Sequence, residues 1–223
     1  MPFLTDKLLL MEEESRNDIV LKQEICELIE CNCEGEYWDF KALWDEKKPD
    51  DLVLDIINFA NTCSNQECYI IFGVKDPKPG DKEATVLGIQ EGDFRRTQDD
   101  INNLLADIPF AEERPSIKVR TIEYGTMEKQ IDVLIIENCL NTPIYLSRRY
   151  HNLKAGAIYA RHGSVNTSID GTADPKTTEK LWEKRFKLLD SPLKQYLELI
   201  ASWDFKNVSI NITHDGLYLN RQA

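Results

Sequence analysis

Tyr69-Ile70-Ile71-Phe72-Gly73-Val74 is the stretch on which the fold turns. A near-continuous apolar run with β-branched and aromatic members reads as a strand covered on both faces, central in its sheet, and it ends at Lys75-Asp76-Pro77. Upstream, Pro49 opens a helix in which Leu52, Ile56 and Phe59 mark a buried stripe, while Asp51, Asp55, Asn58 and Thr62 line the other face. Before that helix, Tyr37-Trp38-Asp39-Phe40-Lys41 alternates bulky apolar with polar residues, as a strand does. The alternation puts Trp38 and Phe40 on one face and Asp39 and Lys41 on the other. A turn-like Cys33-Glu34-Gly35-Glu36 separates this strand from an amphipathic helix over residues 15–30, which carries Leu21, Ile25, Leu28 and Ile29 at helical spacing.

Downstream of the central run, the pattern predicts a loop over 77–81, a short strand over 84–89 and a polar helix from about Thr97 to Asp107. Further strands are expected at Ile117–Ile122, Gln130–Ile136, Ile144–Leu146 and Ala157–Arg161. Helix, strand, helix, then mostly strands means an α+β fold, a mixed β-sheet flanked by helices. The small, polar, turn-rich segment 166–175 marks the expected domain edge, giving a core over 1–170 and a C-terminal part over 171–223. In that part Pro175 precedes a helix with Leu181, Trp182, Phe186 and Leu189, and Ser191-Pro192 starts another with Leu193, Tyr196, Leu197 and Ile200. Val208, Ile210 and Ile212, a His214-Asp215-Gly216 turn, then Leu217 and Leu219 read as a hairpin, which in isolation is marginal and suits the start of a further domain.

The chain has 223 residues, with 27 Lys+Arg against 39 Asp+Glu and a formal charge of −12. A surface of that sign repels phosphate, so any nucleic acid must be held by a local basic groove, and a uniformly basic coat is excluded. Six cysteines without a secretory leader point to reduced thiols in the cytoplasm. No apolar run approaches the roughly 20 residues of a membrane span, so no membrane partner is expected. Cys31-x-Cys33 lacks a second Cys/His pair at zinc-site spacing and reads as ordinary thiols. Phosphate-loop, dinucleotide-fingerprint and nucleophile-elbow signatures do not occur, which removes the standard nucleotide-binding and acyl-hydrolase readings.

The candidate chemistry lies in Glu34 ahead of the first strand, Asp39 on it, and Asp76 just past the central strand. If the two strands are neighbours, three carboxylates converge at strand ends, where sites usually sit. Such a cluster needs cations, and its oxygen ligands suit Mg²⁺ or Mn²⁺, which can bind a scissile phosphate and activate water. Lys41, on the Asp39 face, is placed to neutralise a phosphate oxygen. The plain alternative is a solvated acidic face, since this chain is rich in carboxylates. Basic residues are grouped at Arg95-Arg96, Arg148-Arg149-Tyr150-His151, Lys154, Arg161-His162 and Lys184-Arg185-Lys187. The cluster of Arg148, Arg149 and Tyr150 suits backbone contact plus base stacking in looped RNA, and equally suits a polar loop.

Four ordered motifs resemble the Schlafen core domain, also called the AlbA-like or divergent AAA domain: residues 34–41, Phe59-Ala60-Asn61-Thr62, residues 69–76, and Ile158-Tyr159-Ala160-Arg161-His162-Gly163-Ser164. The resemblance covers roughly residues 15–170. It implies a mixed α/β core used on nucleic acid and, in the Schlafen branch, a metal-dependent endoribonuclease that cuts tRNA and similar folded RNA. The family's acidic triad falls on Glu34, Asp39 and Asp76, with Mg or Mn as cofactor, and its last motif includes Arg161, which is a candidate nucleic-acid contact or, alternatively, simply the partner of an acid. Two departures stand out: the shorter Asp39 where the family commonly has Glu, and Ser64-Asn65 where relatives usually carry a Gly pair. The resemblance equally admits a non-catalytic module that binds DNA or RNA, and a homodimer through which a single-lobe chain completes a binding surface. Antiviral defence and control of translation are the settings it suggests.

Overall fold

The structure, a computed structural model, describes residues 17–78, 83–125 and 129–188, together with the backbone of 208–213 and 216–221. It divides into two compact units, the first ending at Arg185 and the second beginning at Phe186.

In the first unit, a helix over residues 17–30 (α1) precedes β1 (Trp38–Lys41), α2 (Pro49–Ala60) and β2 (Cys68–Phe72). Then come α3 (Gln98–Ala106), β3 (Ile117–Tyr124), β4 (Lys129–Ile136), the two-residue strands β5 (Arg161–His162) and β6 (Val165–Asn166), and α4 (Pro175–Arg185). The main sheet has the order β1-β2-β4-β3, with β1 parallel to β2 and the other pairs antiparallel. It is the expected mixed sheet flanked by helices, and β2 lies inside it.

The double apolar character of β2 follows from its two covers. Ile70 and Phe72 face a core built with Val53, Ile56 and Ile57 of α2 and Ile101 and Leu105 of α3. Tyr69 and Ile71 face the opposite core with Ile25, Leu28 and Ile29 of α1 and Phe40 of β1. All five β2 residues are buried, as a strand between two layers must be. Burying apolar area at roughly 25 cal/mol per Å² on both faces makes β2 the mechanical centre of the unit. Gly73 continues it at φ +94, a conformation that favours glycine, and its N–H bonds the Lys41 carbonyl at 2.9 Å.

Helix starts follow local chemistry. Pro49 opens α2, and Thr97 caps α3 in a reciprocal capping box with Asp100. Asp174 accepts from the backbone N–H groups of Lys176 and Thr177 at the start of α4.

Several expectations need correction. Residues 84–89 and 144–146 form no ladders: Val86 makes a single bridge to Val74, and Leu146 one to Phe110. The strand expected over 157–161 shrinks to Arg161–His162. Asn58 and Thr62, assigned to the polar face of α2, are buried. Asn58 accepts from Thr167 N–H and donates to the Leu54 and Thr167 carbonyls, so the backbone supplies the partners that burial removes from water. Asn61 does the same for residues 144 and 159, donating to both carbonyls and accepting from Ile144 N–H. The Ser64-Asn65 turn is held by the buried Lys184 of α4, whose ammonium donates to the carbonyls of Thr62 and Ser64 at 3.1 and 2.6 Å. Lys184 therefore belongs to the framework rather than to a basic surface.

In the second unit, β7 (Val208–Thr213) and β8 (Gly216–Arg221) pair antiparallel as the expected hairpin. The helix anticipated after Ser191 and the His214-Asp215 part of the turn lie outside the described residues.

Candidate functional site

Parallel pairing of β1 with β2 brings the C-terminal ends of both strands to one side, Lys41 standing opposite Phe72. Residues after each strand therefore meet. An open cleft of about 590 Å³ forms there, lined by Glu34, Asp39 and Asp76 together with Lys41, Lys75 and Arg161.

Glu34 is positioned by a tight turn. The Trp38 ring packs so closely over Gly35 that a Cβ there would lie 2.0 Å from it, so only glycine fits. The Trp38 indole N–H donates to the Cys33 carbonyl at 2.7 Å, and the Gly35 N–H to the Trp38 carbonyl at 3.2 Å. The Glu34 carboxyl then faces Asp39. Burial first, and next the hydrogen bond and charge of Asp39, push the Glu34 pKa up to about 8. Burial alone would raise Asp39 too, but the hydrogen bond from Glu34, followed by Lys41 and Arg161, holds it below the ordinary value. Near neutrality the pair therefore holds one proton, carried by Glu34 and donated to the Asp39 carboxylate.

The cations around the pair are committed. Lys41 Nζ sits 2.7 Å from Asp39 Oδ2 and 3.2 Å from Asp55 Oδ2. Although burial opposes its charge, Asp55 and Asp39 hold its pKa above the ordinary lysine value. Arg161 is 2% exposed and stands beside an acid, so of its two readings the structure has the pairing with a carboxylate, buried rather than at the surface, and not an open nucleic-acid contact. Its guanidinium donates to the carbonyls of Gly35 and Trp38 and to Asn166 Oδ1, lies 3.6 Å from Asp39 Oδ1, and stacks over the Phe59 ring. It is a positioning residue for the Glu34–Asp39 turn. Asp76 is exposed and reaches Glu34 through its charge alone. Among the described residues, no three His, Cys, Asp or Glu side chains stand close enough together to hold a metal ion.

Arg148 and Arg149 are exposed, and Tyr150 is half-buried. Tyr150 stacks on His151 at 4.4 Å between ring centroids, and His151 Nδ1 lies 2.9 Å from Asp50 Oδ1 at the start of α2. Arg149 Nε donates to the His151 carbonyl at 2.7 Å, which ties down the loop. Arg95 is drawn into the sheet instead: it bonds Asp132 and donates to Gln130 and Thr121. Cys31 and Cys33 are exposed free thiols.

Lys75, Asp55 and Asn166 belong to the site but were not assigned to it from the sequence. Asn166 donates to Asp55 Oδ1 at 2.8 Å, linking the last motif to α2. The polar face of α2 held the signal for Asp55, and the position beside Asp76 held the signal for Lys75. Asn166 joins through a contact spanning 111 residues, which no local pattern announces.

Among the described residues, no helix is long and apolar enough to cross a membrane. No curated protein matches the chain. The profile of one family, described as Schlafen, AlbA_2, matches residues 34–170, an interval that begins at the first carboxylate of the cleft and contains all three. With the mixed sheet and the motif positions in agreement, the chain belongs to the Schlafen, AlbA_2 family, and its function is related to nucleic acids.

Proposed function

We propose that the chain is a metal-dependent endoribonuclease acting on tRNA or other structured RNA, with Glu34, Asp39 and Asp76 as the cation-holding set. The observation that carries this reading is the single open cleft lined by all three carboxyl groups, with Lys75 and Lys41 beside them. The donor chemistry fits a hard divalent ion: the ligands are oxygens, and the proton that Glu34 holds against Asp39 is a positive charge that an ion can replace. Glu34 and Asp39 would hold Mg²⁺ or Mn²⁺, and Asp76, which lines the same cleft but does not stand within shared-ligand distance of them, would join the set only when an ion draws the three carboxyl groups together. The bound ion supplies phosphate binding and a water activated for attack on the phosphodiester.

The chain's own residues do the remaining work. Arg161 fixes the Glu34–Asp39 turn, and Lys41 bridges Asp39 to Asp55 and so sets the Asp39 orientation. Lys75 adds positive charge at the rim, where an acidic protein needs local attraction for phosphate. Arg148, Arg149 and Tyr150 would contact backbone and base farther along the same RNA.

One observation favours a second reading, a non-catalytic nucleic-acid-binding module: Asp39 already has Lys41 and Arg161 as partners. The experiment that separates them measures tRNA cleavage with Mn²⁺, with Mg²⁺ and with chelator, beside tRNA affinity over a salt series. The nuclease reading expects Mn²⁺-dependent cutting, lost in Asp76→Ala while affinity and the circular dichroism spectrum persist. Salt-sensitive affinity without cutting under any metal assigns the binding module, and absence of both rejects the pair.

A further inference from the structure

Lys41 is shared between two carboxylates that face different ways. Its ammonium lies 2.7 Å from Asp39 Oδ2 and 3.2 Å from Asp55 Oδ2. Asp39 lines the acid cleft, whereas Asp55, on α2, lines the neighbouring cavity, and Lys41 is common to both. One ammonium thus answers two aspartates largely withdrawn from water, their side chains 6% and 15% exposed. Burial, which outweighs the pull of Lys41, pushes the Asp55 carboxyl above its ordinary value, and the Asp39 charge adds to it. Asp55 is therefore short of positive charge in this arrangement.

The Asp55 carboxylate is also fixed in direction. Asn166 Nδ2 donates to Asp55 Oδ1 at 2.8 Å, and Asn166 Oδ1 accepts from the Arg161 guanidinium at 2.7 Å. Arg161 in turn is locked on the Gly35 and Trp38 carbonyls. Oδ1 is taken, and Oδ2 is left to Lys41. The Lys41 side chain, 38% exposed, is a compact charge on a flexible stem that reaches either carboxylate by turning its last bonds alone.

We infer that Lys41 is an exchangeable cation of the cleft: it neutralises Asp39 until a divalent ion is taken up and then passes to Asp55, so that Asp55 and Asn166 are positioning residues for metal uptake. The inference rests on the reading that Glu34, Asp39 and Asp76 hold such an ion. An ammonium and a divalent ion on one carboxylate oxygen repel each other, and burial leaves little water to screen them. Without the transfer, Asp39 would face Lys41, Arg161 and the ion together while Asp55 had part of one cation; with it, each buried aspartate keeps its own. The exchange also explains why a carboxylate meant for a metal carries a lysine partner in the free chain.

The test uses the full chain and Mn²⁺ alone, with bound ion counted by electron paramagnetic resonance and the position of Lys41 read from a crystal grown with Mn²⁺. In that crystal the ammonium should lie more than about 4 Å from both Asp39 oxygens, beyond ion-pair distance, and hydrogen-bond Asp55. Asp55→Asn should weaken Mn²⁺ binding about fivefold or more, because the ammonium then has no second carboxylate to go to, and Lys41→Met should strengthen it by a similar factor. Combined with Lys41→Met, the Asp55→Asn change should alter the affinity by less than about twofold, since its effect runs through the lysine. If a variant fails to fold, the crystal of the unaltered chain decides. Mn²⁺ bound with Lys41 still on Asp39, or an Asp55→Asn effect undiminished without the lysine, overturns the exchange and leaves the metal reading standing. Absence of Mn²⁺ binding to the unaltered chain overturns both, so the two failures are distinguishable.

Discussion

Two aspartates on the same sheet, Asp39 on β1 and Asp132 on β4, are both almost fully buried, at 4% and 1% exposure, and they are put to opposite uses. Asp132 is surrounded by donors alone: Trp44 Nε1, Thr121 Oγ1, and Arg95 through two nitrogens. Asp39 faces Lys41 and Arg161 but also the carboxyl of Glu34, a group that repels it unless a proton or another cation intervenes. A buried carboxylate whose lone pairs are all answered stabilises the framework; one placed against a second carboxyl leaves a position for something positive. The two regions separate what holds the fold from what waits for a ligand.

The comparison breaks first at Asp132. Asp132→Ala strands the Trp44 N–H and leaves the Arg95 charge without its partner, so urea unfolding should show a loss of about 3 kcal/mol or more. A loss below about 1 kcal/mol would make Asp132 no more structural than a surface ion pair.

Asp39→Asn tests the other side. It should lower Mn²⁺-dependent tRNA cleavage by about 100-fold or more, the order expected when a group acting directly at a reacting phosphate is lost, with the fold retained by circular dichroism. If the variant unfolds like Asp132→Ala, the contrast between the two aspartates disappears.

A smaller effect sharpens the contrast through pH. In chelated buffer, the folded chain holds the Glu34 proton up to about 8, whereas the unfolded chain releases it near the ordinary carboxyl value. The folded state thus binds more protons across that window, and stability falls as pH rises toward and through about 8. Asp39 has the opposite sign, its contribution being lost only as pH falls below the ordinary aspartate range. Glu34→Gln should flatten the decline in melting temperature between the ordinary carboxyl value and about 8, and an unchanged decline there would show that Glu34 does not hold that proton. The smallest effect is expected at the loop: Arg148→Ala or Arg149→Ala should each lower the slope of log affinity against log salt by about 1 for tRNA, with cleavage of saturating substrate unaltered.

Much of this is legible in the amino-acid sequence. The central strand announced itself because burial on both faces leaves no polar register to interrupt the run, and α2 and α3 carried their own start signals in Pro49 and Thr97. The meeting of Glu34, Asp39 and Asp76 at one cleft followed from strand adjacency. What stayed hidden depends on distant partners. Residues 84–89 and 144–146 have strand-like composition but find only one bridging partner each, Val74 and Phe110, neither of which belongs to a named strand. Arg161 looks like a surface cation until Gly35, Trp38 and Asn166 are folded around it, and Asn58 looks polar and exposed until Thr167 arrives to bond it. The Trp44–Phe72 stack joins residues 28 apart in sequence, a pairing that neither residue announces alone.

The Arg161 contacts also bear on how the protein behaves among its own copies. β1 is an outer strand with a neighbour on one side only, and its Trp38 carbonyl points away from β2. A bare edge of this kind is an invitation for a foreign strand to add on. Arg161 shares that carbonyl with the Gly35 N–H, so guanidinium and turn together act as a stopper on the sheet, and a chain lacking Arg161 would leave this stretch of β1 guarded by the turn alone.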